Sequence, residues 1–174
     1  EDTVYVEIKK KVDGQGNKRR SAMPLPAAYR FLQTGILPAA EPHMNLQVLK
    51  EIQGMLKHLQ LQPAMMIFCK RIAYSCKDDV KLRISFDTEI RARSDDLLLE
   101  HGTSGISLLA RDRRLMEVKI GHSMPLWLSA LLNRYQLYPV SFSKYGTARM
   151  NEIHRQRAQV KAALEPLEIK KTEG

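Results

Sequence analysis

Two cysteines, one tryptophan and an aromatic share of only 6% are the scarcities that first narrow this sequence. Cys69 and Cys76 occupy odd and even positions, so on a single strand they point to opposite faces. That argues against a disulfide between them and favours a reducing compartment, the cytoplasm. The few aromatic residues leave little from which to build base-stacking platforms, which weighs against a nucleic-acid binder. No apolar run approaches the length of a membrane span; Leu126 to Leu132 is typical. A charged-then-apolar leader pattern, a solenoid-length repeat and a low-complexity tract are also lacking. His43 and His58 have no second ligand at metal spacing and read as surface residues.

Basic charge is what the sequence has in excess. Lys and Arg number 28 against 19 Asp and Glu, a formal net charge of +9, so an anionic partner is expected: nucleic acid, anionic lipid or polyphosphate. The 174 residues, 44% of them hydrophobic, suit a soluble globular domain with a core of its own.

The opening "EDTVYVEIKKKV" alternates, with Val4, Val6 and Ile8 on one side and Tyr5, Glu7, Lys9 and Lys11 on the other. "DGQGN" at 13–17 supplies a hairpin turn, and Lys18, Arg19 and Arg20 open the returning strand. Pro24 and Pro26 lead into a helix over "AAYRFLQTG", closed by Gly35. Leu46, Leu49, Ile52, Leu56 and Leu59 then mark a second helix, with Lys50, Glu51 and Lys57 left to solvent. "AMMIFCKRIAYSC" and "VKLRISFDTEIRAR" read as strands joined by a "KDD" turn. In the second of these, Lys81, Arg83, Ser85, Asp87, Glu89 and Arg91 alternate with Leu82, Ile84, Phe86, Thr88 and Ile90. "RRLMEVKI" sets Leu115, Glu117 and Lys119 against Met116, Val118 and Ile120. "MPLWLSALLNRYQL" is a helix able to cover the apolar faces, and a basic, Ala-rich helix and tail follow from Asn151.

One charged strand face is ordinarily a solvated surface. Here basic residues recur at alternate positions in several strands, and Glu-x-Lys occurs in both "VEIK" and "MEVK". If such faces curl toward one another they enclose like charges, which at about 4 Å repel by about 4 kcal/mol at an effective dielectric near 20. A polyanion relieves that repulsion: guanidinium forks suit phosphate oxygens, and a carboxylate among them suits a divalent cation that bridges phosphates. Glu117 is the natural metal-ligand candidate. Asp87 and Arg91 share the inward parity, and pairing with each other or with Glu89 is the plain alternative to a substrate role. His101 reads as a loop residue.

These stretches, "VYVEIKKKVDG", "KRR", "CKRIAYSCKDDVKLRISFDTEIRAR", "LMEVKI" with "MPLWLSALL", and "SFSKYG", stand in the order of a known family. The chain resembles the VTC domain, the polyphosphate polymerase domain of the triphosphate tunnel metalloenzyme superfamily. Arg71 and Arg83 twelve positions apart, followed by "MEVK" and "SKY", make the combination specific. The resemblance implies an α+β fold, an antiparallel β-barrel lining a triphosphate tunnel with helices packed outside. Family members begin with a helix and strands that include an Arg-x-Arg pair, so the barrel is expected to be incomplete at the N-terminus. Residues 1–150 are then the C-terminal two-thirds of the tunnel domain, and 151–174 a basic helix and tail.

The implied reaction moves the γ-phosphoryl of ATP onto polyphosphate with Mn2+ or Mg2+, by positioning and charge neutralisation and without a covalent enzyme intermediate. Carried over by motif, Lys9, Arg71, Arg83 and Lys144 are the catalytic phosphate contacts, and Glu7, Lys18, Arg20, Lys119 and Ser143 line the substrate path. Glu117 holds the metal, and Tyr145 fixes the strand bearing Lys144. Ser143 has the equal alternative of satisfying backbone groups. A membrane-embedded partner or fused segment is expected from the same resemblance. Two rival functions use the same cations: a tunnel hydrolase with water as nucleophile, and a non-catalytic polyphosphate- or nucleotide-binding subunit.

Overall fold

The computed structural model describes residues 3–12 and 15–169, and the chain forms two compact units, Glu1–Pro63 and Ala64–Gly174. The fold is α+β, with antiparallel sheets and helices.

In the first unit, strand β1 (Thr3–Val12) pairs antiparallel with β2 (Gln15–Pro24), Lys9 standing opposite Lys18 and Glu7 opposite Arg20. The hairpin turn expected at 13–17 falls in part on residues 13 and 14, outside the described residues. Helix α1 (Leu25–Thr34) begins on prolines that suit a first turn and ends at Gly35. There φ is +68°, a left-handed value that glycine adopts without strain, and its N–H caps the Phe31 carbonyl at 2.8 Å. Helix α2 (Leu46–Leu59) starts where the Asn45 side chain accepts the Val48 N–H at 3.2 Å. Buried Ser21 accepts the Asn45 N–H at 2.9 Å, which ties the start of α2 to β2.

Val6, Ile8 and Met23 from the hairpin pack with Ala28, Phe31, Val48, Leu49 and Ile52 in the core of this unit. The inward face of α2 is therefore centred on Val48, Leu49 and Ile52, while Leu46 and Leu59, at the helix ends, are exposed. Glu51 is not left to solvent as expected. It pairs with both Lys10 and Arg19, on the hairpin face opposite to Lys9, and the Lys10 ammonium foremost holds its carboxyl below the usual range.

In the second unit, β3 (Met66–Ser75) runs along one edge of β4 (Arg83–Arg93). On the other edge β4 pairs with β6 (Leu115–Lys119) through residues 83–87 and with the short β5 (Ile106–Ser107) at Arg91 and Ala92. The β3–β4 register shifts between Phe68 and Lys70, where Glu89 takes φ +49°. This bulge inverts the alternation of β4. Before it, Ser85 and Asp87 are buried; beyond it, Ile90 and Ala92 are buried and pack with Leu108 and Ala148. The simple odd-even parity expected for β4 thus fails at Glu89, and Arg91 pairs with Glu89 at 3.6 Å rather than with Asp87.

Arg93, 7% exposed, staples the following loop: its guanidinium donates to the carbonyls of Asp96, Leu98 and Gly102 and to the Ser104 hydroxyl, and it lies 5.1 Å over the Phe68 ring. The loop returns at Gly105, with φ +150°, where a Cβ would lie 2.7 Å from the Ala92 carbonyl oxygen. Only glycine allows that approach.

Helix α3 (Leu126–Arg134) buries Leu128, but Leu126 is 88% exposed and Trp127 53%, so it does not cover an apolar face as its composition suggested. Helix α4 (Lys144–Ile169) begins earlier than the expected Asn151. Lys144 and Tyr145 of "SFSKY" consequently open this helix, residues 141–143 before it form no strand, and Tyr145 is an exposed helical residue.

Candidate anion-binding site

Alternation along β1 and the register with β2 gather Tyr5, Glu7, Lys9, Lys18 and Arg20 on one hairpin face, because the apolar partners Val6, Ile8 and Met23 claim the other. All four residues of this hairpin expected along the phosphate path, Glu7, Lys9, Lys18 and Arg20, share that face. Lys18 reaches Glu7 at 2.7 Å, and the Arg20 guanidinium lies 4.3 Å over the Tyr5 ring. Lys9, directly opposite Lys18, has no carboxylate within ion-pair distance among the described residues. Two lysines side by side with one Glu between them leave the face cationic.

The second unit repeats the arrangement on three strands. Arg71 stands opposite Asp87, Ser85 opposite Glu117, and Arg83 opposite Lys119, so these six side chains share one face. The face is continuous with the core that α4 packs against, which brings Lys144 onto it. The strand pairing therefore unites Arg71, Arg83, Glu117 and Lys119 as expected, and α4 supplies Lys144 where a strand was anticipated.

Asp87 is the centre of this group. Only 1% exposed, it accepts Arg71 Nε at 2.5 Å and Nη2 at 2.7 Å, and Lys144 Nζ at 2.5 Å. The Arg71 guanidinium, with Lys144 after it, outweighs burial and holds the Asp87 carboxyl at about 2. The same hydrogen bonds raise the Arg71 pKa above its ordinary value. Reading the sequence left Asp87 to pair with a neighbour on its own strand; its cross-strand and cross-element partners depend on register.

Glu117 is less engaged. Its carboxylate lies 3.4 Å from Arg71 Nη2 and 3.4 Å from Lys119 Nζ, and its side chain is 43% exposed. Among the described residues no three His, Cys, Asp or Glu side chains converge as a metal cage. One accessible carboxylate amid cations nevertheless fits a hard divalent ion that takes its other ligands from water and phosphate oxygens. Arg83 is exposed and has no carboxylate partner among the described residues.

Ser143 takes the backbone alternative: its hydroxyl accepts the Gly146 N–H at 3.1 Å and caps α4, while its carbonyl accepts the Thr147 N–H at 2.8 Å. It positions the turn that carries Lys144. His101 sits in the loop after β4, 2.6 Å from Asp96, and His43 and His58 are exposed.

The model of the VTC domain matches residues 1–151, a stretch that includes every residue of both cationic faces. The chain belongs to the VTC domain family. This VTC domain is also 27% identical over 170 residues to the vacuolar transporter chaperone complex subunit 4 of Trypanosoma brucei brucei (strain 927/4 GUTat10.1). That match takes in 83% of the chain and 21% of the relative, so the chain spans about a fifth of that protein's length.

Proposed function

We propose that this VTC domain serves a polyphosphate polymerase, in which a terminal phosphate oxygen of the chain attacks the γ-phosphorus of ATP. The bond from that phosphorus to the bridging oxygen breaks, and ADP leaves. The observation that carries this reading is the strand register that sets Arg71, Arg83, Glu117 and Lys119 on one face, with Lys144 added by α4. Forked guanidinium groups and ammonium groups at that density suit a row of phosphates. The hairpin face with Lys9, Lys18 and Arg20 is a second surface of the same chemistry.

In this proposal Arg71, Arg83 and Lys144 hold the reacting phosphates. Lys9, Lys18, Arg20 and Lys119 neutralise the remainder of the chain, while Glu7 orients Lys18. Glu117 would hold Mn2+ or Mg2+, which when bound supplies charge neutralisation at the triphosphate. Catalysis by this set is positioning and electrostatics, as phosphoryl transfer requires. The closed tunnel of the family belongs to the proposal, as does work within a complex that includes a membrane-embedded component, at the cytoplasmic face of a membrane.

The test is incubation of the full-length protein with ATP and manganese, resolving products by gel and phosphorus NMR. Polyphosphate with ADP, reduced at least a hundredfold in Glu117→Gln and Arg83→Ala, is the expected result, since loss of one electrostatic contact commonly costs about 10²-fold or more. Orthophosphate alone would replace the polymerase by a hydrolase. Triphosphate binding without turnover would leave a binding subunit.

A further inference from the structure

Asp87 is an anion at the centre of a surface read as a phosphate site, and that placement needs an explanation. On charge alone it weakens the attraction of the face for phosphate. It is nonetheless the most buried ionisable group on that face, carried on the central strand, with Arg71 of β3 and Leu115 of β6 paired to it on either side. A backbone paired on both edges cannot easily shift, so the carboxylate is a fixed point.

Its contacts are selective. Asp87 takes the Nε and one Nη2 hydrogen of Arg71, which together form a single edge of the guanidinium. The Nη2 group also donates to Glu117 Oε2 at 3.4 Å, and the two Nη1 hydrogens carry no protein bond among the described residues. Lys144 spends one of its three hydrogens on Asp87 Oδ2 and keeps two. One carboxylate thus fixes the orientation of two cations that come from different elements, and leaves each with donors to offer. Without it, Arg71 and Lys144, both hydrogen-bonded to Oδ2, would repel and separate.

We infer that Asp87 is a positioning residue, which holds Arg71 and Lys144 together with their free donors turned to one phosphate group, and that it strengthens phosphate binding although it is itself an anion. The inference rests on the proposed phosphate-binding role of this face. A carboxylate acting through its charge alone would not show the sign that follows: removing Asp87 adds one positive charge to the site, yet binding weakens.

The experiment measures binding of inorganic tripolyphosphate to the full-length protein by calorimetry. The variants are Arg71→Met, Asp87→Asn, Asp87→Glu and Arg71→Met/Asp87→Asn, each with its fold checked by circular dichroism. Asp87→Asn is expected to bind about ten-fold more weakly, which is about 1.4 kcal/mol of lost phosphate contact. Asp87→Glu, which keeps the charge but moves the carboxylate, should weaken binding as well, and it carries the comparison if Asp87→Asn does not fold. In the Arg71→Met background the loss of Asp87 should cost less than in the wild type, because one of the two residues it positions is gone and only Lys144 remains. Tighter or unchanged binding in Asp87→Asn or Asp87→Glu, with Arg71→Met clearly weakened, overturns the positioning role and leaves the phosphate site standing. Unchanged binding in Arg71→Met overturns the phosphate reading itself, and the positioning role with it.

Discussion

A carboxylate held by three hydrogen bonds from two cations resists protonation, which is why Asp87 titrates at about 2 against an ordinary 3.8. Because the folded value is the lower one, the stabilisation is complete above the unfolded value and is lost as pH falls through about 2. Asp87→Asn should therefore unfold more easily in urea at pH 7, by about 3 kcal/mol, since it strands two cations beside a neutral amide. The gap to the wild type should then narrow by about 2 kcal/mol between pH 4 and pH 2, where only the wild type takes up the proton. A gap that stays constant across that window would mean that the carboxylate is not the group being titrated. The exposed pairs give no such signal. Glu89, shifted below the usual carboxylate range foremost by Lys70, lies in an exposed pair that water screens.

Single elements show where residue order is enough to place a side chain and where it is not. Strict alternation made the two faces of β1 readable, and the register of the hairpin follows because Val4, Val6 and Ile8 must meet the same core as Met23. In β4 the alternation runs true to Asp87 and fails at Glu89, since nothing in the side chains of "TEIR" announces a bulge with φ +49°. Lys144 joins the cationic face from a helix where its motif suggests a strand: "SFSKY" has little helical pattern, and the helix starts from the Ser143 cap. The apolar run of α3 promised a buried helix, yet only Leu128 is enclosed, because composition does not say what an element packs against. Arg93 went unnoticed in "EIRARS" for a related reason, as its partners are backbone carbonyls that no side-chain motif encodes. Arg93→Met keeps an apolar stem but removes those bonds and the guanidinium over Phe68, so it should destabilise by about 2 kcal/mol. Amide exchange in residues 94–105 should quicken while that in β1 and β2 stays as it was. Equal exchange in the loop of both proteins would show that the loop holds itself.

At the scale of the whole molecule, a formal charge of +9 predicts attraction to any polyanion, and the arrangement of the cations decides which of them take part. Lys9 and Lys10 are adjacent, exposed and chemically identical, but they project from opposite faces of β1. Lys10 is turned toward α2 and pairs with Glu51, whereas Lys9 stands across from Lys18 with no carboxylate to neutralise it among the described residues. If binding were a matter of net charge, Lys9→Gln and Lys10→Gln would weaken polyphosphate binding equally. If the hairpin face is a phosphate surface, only Lys9→Gln should. Measured on the full-length protein across a salt series, the slope of log affinity against log salt should fall by about 1 in Lys9→Gln, the change expected when one phosphate contact is lost. Lys10→Gln should leave the slope unchanged. The melting temperature of Lys9→Gln should equal or exceed that of the wild type, because the substitution also relieves the repulsion with Lys18. Matching slopes in the two variants would reduce the hairpin to a contributor of diffuse charge and leave Arg71, Arg83, Lys119 and Lys144 to bind phosphate.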